Sequence, residues 1–234
     1  MSRPALTACF TLMAAAALAF SAGAPVLQSV YSAKDLPLTA DPAAPHWKDI
    51  PPVVIESDYA GRSIPGHRTE VRSRWTDTHL LLLYVNRYET LYLKSNPSTT
   101  TETQQLWDWD VSESFIGSDF ENIRQYKEFQ VSPQGEWVDL DIDRGNIAGQ
   151  AGAAWNSGFT VKARVDEAKK LWYGEMKIPF SSLDTRKPAV GNELRLGLFR
   201  LEGKTPNRTF VSWQPTGGKT FHMPEKFGML RLVK

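Results

Sequence analysis

Residues 69–85 read TEVRSRWTDTHLLLLYV, and this stretch decides the fold class. Its first half alternates: Thr69, Val71, Ser73 and Trp75 fall on one side of an extended chain, and Glu70, Arg72 and Arg74 on the other. Thr76, Asp77 and Thr78 supply turn-forming side chains. His79 then leads into Leu80, Leu81, Leu82, Leu83, Tyr84 and Val85 without a polar interruption. So short an apolar run beside a turn predicts a strand buried on both faces.

The same pattern recurs along the chain. Residues 53–57 form a short apolar run, and 126–132 and 136–142 a hairpin around Pro133, Gln134 and Gly135. Residues 159–165 alternate, and 171–178 follow until Pro179 ends the strand. Residues 194–201 alternate again, with Leu194, Leu196, Leu198 and Arg200 on one side, and 229–233 close the series. No window sustains helical periodicity. The expectation is all-β: a single-domain antiparallel β-sandwich, immunoglobulin-like or jelly-roll-like, of roughly nine to eleven strands.

The ends read differently. Residues 1–24 have the signature of a secretory signal peptide: Arg3, an apolar Ala-rich run at 12–20, and Ala22-Gly23-Ala24 as a small-residue cleavage pattern. Secretion, to a periplasm or outside the cell, is the expected localisation. Residues 25–45 are rich in Pro and Ala and are expected to form an extended N-terminal arm, in which Val30 and Tyr31 could add a short edge strand, leaving 46–234 as the sandwich. Cys9, the one cysteine, falls in the leader, so neither disulfide nor thiolate chemistry is expected of the mature chain. Without Arg3 the 27 basic residues become 26, matching the 26 acidic ones. A near-neutral chain with scattered charge excludes nucleic acid and anionic membrane as expected partners.

Chemistry concentrates at residues 106–115, LWDWDVSESF. Two tryptophans and the carboxylates of Asp108, Asp110 and Glu113 share this segment. Val111, Glu113 and Phe115 fall on one strand side, Ser112 and Ser114 on the other, while Trp107 follows a Thr-rich loop at 99–103. A rim aromatic beside a strand carboxylate is equipment for gripping a sugar, the ring on its C–H face and the carboxylate on its hydroxyls. A core tryptophan with a solvated acidic loop accounts for the same residues, with Glu113 then paired to a buried arginine such as Arg200.

Several motifs in order resemble carbohydrate-binding module family 9 and its DOMON-like sandwich relatives. They are residues 72–77, RSRWTD; 107–115, WDWDVSESF, similar to the family's W-x-x-D-x-x-E-x-F; 126–135, YKEFQVSPQG; 172–180, WYGEMKIPF; and 211–215, VSWQP, running into 221–228, FHMPEKFG. The resemblance covers residues 35–234. It implies a non-catalytic module that holds a saccharide between two aromatic rings and serves polysaccharide breakdown beside a separate glycoside hydrolase. Carried over, Trp107 is the first ring, Glu113 the strand carboxylate, and Phe221 stands where the family has its second tryptophan. Gln130 falls where characterised binders can offer an arginine. Trp109, Asp110 and Arg200 are expected in support, while Trp75, Trp137, Trp172 and Trp213 are expected to be structural.

Other chemistries fit less well. Residues 139–150 carry Asp139, Asp141 and Asp143, but glycine and the terminal carboxylate are out of place for a calcium loop, and the aspartates alternate as on a strand with a wet face. No cofactor or metal is expected, although calcium in another geometry stays open. His222 and Met223 are adjacent, so they diverge on an extended chain and cannot both ligate a haem in an electron-transfer sandwich. A glycoside hydrolase would need a carboxyl pair from Asp108, Asp110, Glu113 and Glu128.

Overall fold

The computed structural model describes residues 23–145, 155–218 and 220–234. The expected leader thus lies almost wholly outside the described residues, as do Asn146 and Gln150 of the calcium-like run. The chain is all-β. Its strands are β1 (Val26–Tyr31), β2 (Val53–Ile55), β3 (Thr69–Trp75), β4 (His79–Arg87), β5 (Val111–Gly117) and β6 (Gln125–Val131). Then come β7 (Trp137–Asp143), β8 (Thr160–Asp166), β9 (Leu171–Pro179), β10 (Glu193–Glu202), β11 (Thr209–Ser212) and β12 (Gly228–Val233). They form one 12-stranded sheet in the order β7-β6-β5-β10-β12-β1-β3-β4-β9-β8, with β11 beside β10 and β2 beside β3.

Two expectations need correction here. Residues 25–45 are not wholly an extended arm: β1 is an inner strand between β12 and β3. It runs parallel to both, so the sheet is mixed rather than antiparallel throughout. Parallel neighbours lie far apart in sequence and need no tight turn, so no hairpin signal announces them. Ser29 belongs inside because its hydroxyl accepts from Ser73 Oγ at 2.8 Å.

The sheet curls until it nearly closes into a barrel-like sandwich around one apolar interior. Leu82 and Tyr84 of β4, Met176 and Ile178 of β9, Phe129 and Val131 of β6, Leu196 and Leu198 of β10 and Leu230 and Leu232 of β12 meet there. Gly174 marks how closely the walls approach: a Cβ on it would lie 2.8 Å from Val131 Cγ1 and 3.0 Å from Trp172 Cζ3.

β4 is dry on both faces, as its sequence demands. Leu81 and Leu83 turn away from the interior and pack under Leu36, Ala44, Trp47 and Ile50 of the segment between β1 and β2. Glu175 of β9 latches that segment down. Its fully buried carboxylate accepts from the backbone N–H of Thr39 (2.7 Å) and Ala40 (2.6 Å) and from Trp47 Nε1 (2.9 Å). Nothing on this carboxylate is left for a ligand.

Two substitutions probe these contacts. Gly174→Ala should destabilise the fold by about 1–3 kcal/mol, the usual cost of overpacking, read as a lowered denaturation midpoint. Glu175→Gln turns an amide donor toward N–H donors and should cost about 2–4 kcal/mol, with faster hydrogen exchange at Thr39 and Ala40.

Candidate functional site

The register of β5 sets the site. Every residue of this strand is buried. Ser114 and Ile116 face the common interior, where Tyr84 Oη lies 2.7 Å from Ser114 Oγ. Val111, Glu113 and Phe115 face outward. A second apolar layer covers them: Leu106, Val111, Phe115, Tyr126, Val138, Phe199, Leu201, Phe221 and Phe227 pack together on the outer side. Glu113 sits opposite Phe199 on β10 and Gln130 on β6, inside this layer.

Three polar side chains therefore lie in a dry environment. Gln130 Nε2 donates to Glu113 Oε1 at 2.9 Å and to Glu128 Oε1 at 2.6 Å. Glu113 is 2% exposed, Glu128 3% and Gln130 0%. The network is incomplete, because Glu128 Oε2 and Gln130 Oε1 have no partner. Burial pushes both carboxyls above their ordinary range. For Glu113 the charge of Glu128 adds to this, while the Arg208 guanidinium works against it. For Glu128 the Gln130 amide works against it. Arg208 Nη2 donates to the Trp109 carbonyl at 2.5 Å, and Arg208 Nε is also buried without a partner. Its own pKa is lowered, again by burial first.

The rim is built by the segment leading into β5. Gln105, in the left-handed region at φ 59°, starts a short 3-10 turn at Leu106–Asp108. Leu106 anchors that turn in the outer layer, and Trp107 rides half-buried beside it. Trp109 is also half-buried, with Lys94 Nζ 5.9 Å from its ring centre. Asp110 fixes the surroundings by accepting from the N–H of Tyr92 at 3.0 Å and of Gly203 at 2.6 Å. Burial raises its carboxyl to about 6, against the pull of these two N–H groups.

The structure thus brings Glu113 and Gln130 into contact and holds Trp107 in the same outer layer. Phe221 and Arg200 sit otherwise than expected. Phe221 is 5% exposed and is no free ring, since Phe199 stacks on one face at 4.2 Å and 13° and Phe210 packs edge-on at 5.5 Å. Arg200 cannot pair with Glu113. It lies across from Ser112, so it shares the inward face, where it binds Glu202 Oε2 (2.6 Å) and the Arg87 carbonyl (2.7 Å). His222 stacks on Phe115, its Nδ1 2.6 Å from Tyr126 Oη, and burial lowers its pKa to about 4.

The aspartates of the calcium-like run lie on β7 with partners of their own. Asp139 accepts from the Ser157 N–H, and Asp141 pairs with Lys127 Nζ at 2.6 Å.

Sequence reasoning weighed Glu128 only as a hydrolase acid and missed Arg208. Glu128 was legible in principle, two residues from Gln130 on the same strand face. Arg208 reaches the site from the turn between β10 and β11, where no periodicity marks its direction.

Comparison with known proteins places the fold and the family. A carbohydrate-binding module family 9 from Caldicellulosiruptor kristjanssonii, in complex with glucose, superposes with a TM-score of 0.64 at 13% identity, over 89% of this chain and 95% of that one. The same organism's module in complex with cellotriose gives 0.65 at 14% identity, over 89% and 94%. A Bacteroides uniformis protein provisionally described as carbohydrate-binding gives 0.71 at 15% identity, over 90% and 100%. At these identities the likeness establishes the fold. No curated protein matches the chain. Residues 41–234 match the carbohydrate family 9 binding domain-like family. With most of its length inside that match, the chain belongs to this family of non-catalytic carbohydrate-binding domains.

Proposed function

We propose that the protein is a secreted module that captures a saccharide at the outer face of β5, β6 and β10, with Trp107 as its stacking ring. One observation carries the reading. Glu128 Oε2 and Gln130 Oε1 are buried without partners in the network around Glu113, and so is Nε of Arg208, whose charge acts on Glu113. Two acceptors and one donor left open there match the hydroxyls of a sugar, which donate and accept in turn. The half-buried Trp107 supplies a flat apolar face at the edge of the same layer. Glucose and cellotriose, held by the similar modules named above, are the first ligands to try.

Glu113 would accept a hydroxyl directly, and Gln130 would fix both carboxylates while offering its own carbonyl. Trp109 and Asp110 support the site at one remove, by holding Arg208 and the Tyr92 and Gly203 backbone. Phe221 serves as packing beneath the floor. The leader reading supports action outside the cytoplasm, where a separate glycoside hydrolase would supply the chemistry of polysaccharide breakdown.

Calorimetric titration with glucose, cellotriose and xylo-oligosaccharides tests this reading. Saturable binding should weaken about tenfold or more in Trp107→Ala, the loss of one stacked ring, with far-ultraviolet circular dichroism and cooperative thermal unfolding retained. Phe221→Leu should leave saccharide affinity within about threefold of wild type while lowering thermal stability, as for a packing residue. Absence of heat with every sugar would overturn the reading.

A further inference from the structure

The second carboxylate of the site, Glu128, can do more than accept a hydroxyl, because it is linked to Glu113 through Gln130. We propose that Glu128 is itself a ligand-facing group that holds one proton jointly with Glu113 through Gln130, so that saccharide capture releases this proton to solvent. The inference rests on the saccharide reading above.

The geometry leads there directly. Both carboxyls lie within hydrogen-bond distance of one nitrogen, Gln130 Nε2, at 2.9 and 2.6 Å. An amide has two N–H bonds, so each carboxyl receives one and the amide's capacity to donate is spent. The other groups facing the pair do little to hold two negative charges. Phe199 on β10 and Val138 and Leu140 on β7 are neutral neighbours in register. Tyr126, farther along β6, is engaged with His222. Arg208 is the cation that favours ionised Glu113, and Asp110 and Asp108 share its field. Two buried like charges with one guanidinium between them, and that one acting on Glu113 alone, cannot both ionise cheaply, and a proton kept on one of them removes the conflict. The raised pKa directions of both groups agree with this.

A bound sugar changes that balance. A hydroxyl donating to the open Glu128 Oε2 favours the ionised carboxylate, as donors to a carboxylate do. The proton then leaves for the buffer, and affinity rises with pH through the pair's titration. Because the two sites titrate together, the released proton belongs to the pair and not to one residue.

Calorimetry with cellotriose at pH 7, in phosphate and in Tris, reads the proton directly. The apparent enthalpy should differ between the buffers by a fraction of a proton's ionisation heat, with the sign of release. Wild-type affinity should rise severalfold between pH 5.5 and 8. Glu128→Gln should bind about three- to tenfold more weakly at pH 7, the worth of one hydrogen bond, with no buffer dependence and a flat pH profile. Cellotriose heat that is the same in both buffers would overturn the proton linkage and leave the saccharide site standing. Proton release persisting in Glu128→Gln would overturn the role of Glu128.

A ligand-free arm separates the two readings. The pair's folded pKa values lie above the unfolded ones, so its contribution to stability is present at low pH and falls as pH rises past the unfolded value. The melting temperature of Glu128→Gln relative to wild type should therefore rise from pH 5 to pH 8. A difference that is constant with pH would overturn the shared proton. If the variant fails to fold, the wild-type buffer comparison decides alone. No heat with cellotriose, glucose or xylo-oligosaccharides would overturn the saccharide reading and the linkage with it, whatever the melting curves show.

Discussion

Burial on both faces of β5, β6 and β10 is the constraint from which the rest of this structure follows. The curl of the sheet covers the inner faces, and a second layer around Phe115, Phe199, Phe221 and Phe227 covers the outer ones. Each large side chain removed from water there contributes roughly 1.5–3 kcal/mol. That gain allows the fold to keep Glu113, Glu128 and Gln130 in the same layer, where each unpartnered polar atom costs about 1–3 kcal/mol. On a sheet with one wet face these carboxylates would be solvated and would keep their ordinary acidity.

The other half of the sheet obeys the same constraint and resolves it differently. β4 and β9 are covered outside by the segment between β1 and β2, and Glu175 is buried as completely as Glu113. Yet Glu175 is surrounded by donors from Thr39, Ala40 and Trp47 that the chain itself supplies. Two buried strand carboxylates, alike in sequence terms, are thus told apart by their acceptors: both Glu175 oxygens receive donors, while Glu128 Oε2 and Gln130 Oε1 beside Glu113 receive none. Glu175 ties two parts of the fold together. Glu113 belongs to a network with open acceptors, and on the saccharide reading openness rather than burial marks it for a ligand.

Much of this was legible in the sequence because strand alternation is a strong local signal. The apolar run at 80–85 required cover on both faces, and the packing of Leu81 and Leu83 beneath Trp47 shows what supplies it. Glu113 among Val111 and Phe115 marked a polar residue on a dry face. What failed to show was set by contacts distant in the chain. β1 pairs in parallel with β3 and β12, a choice that no turn residue records. Arg200 and Glu113, each on an otherwise apolar strand side, offered themselves as a buried pair, but the cross-strand register puts them on opposite faces, and register is invisible along one strand. Phe221 matched a motif position, yet its exposure depends on Phe199 and Phe210 filling the space around it.

That last packing bears on how selective the site can be. With one face of Phe221 already taken by Phe199, no second ring lies free opposite Trp107 at this position. On the saccharide reading, ring burial then comes from one side, and a single stacked face tolerates several pyranoses because their C–H surfaces are alike. Discrimination must fall to the floor, where the positions of Glu113, Glu128, Gln130 and Arg208 are fixed by hydrogen bonds and by the register of two neighbouring strands. A hydroxyl pointing the wrong way there leaves a buried acceptor unpaired, a larger penalty than a missing apolar contact. On that reading the incompletely paired network does more than tolerate a ligand. It is the part of the site able to choose one.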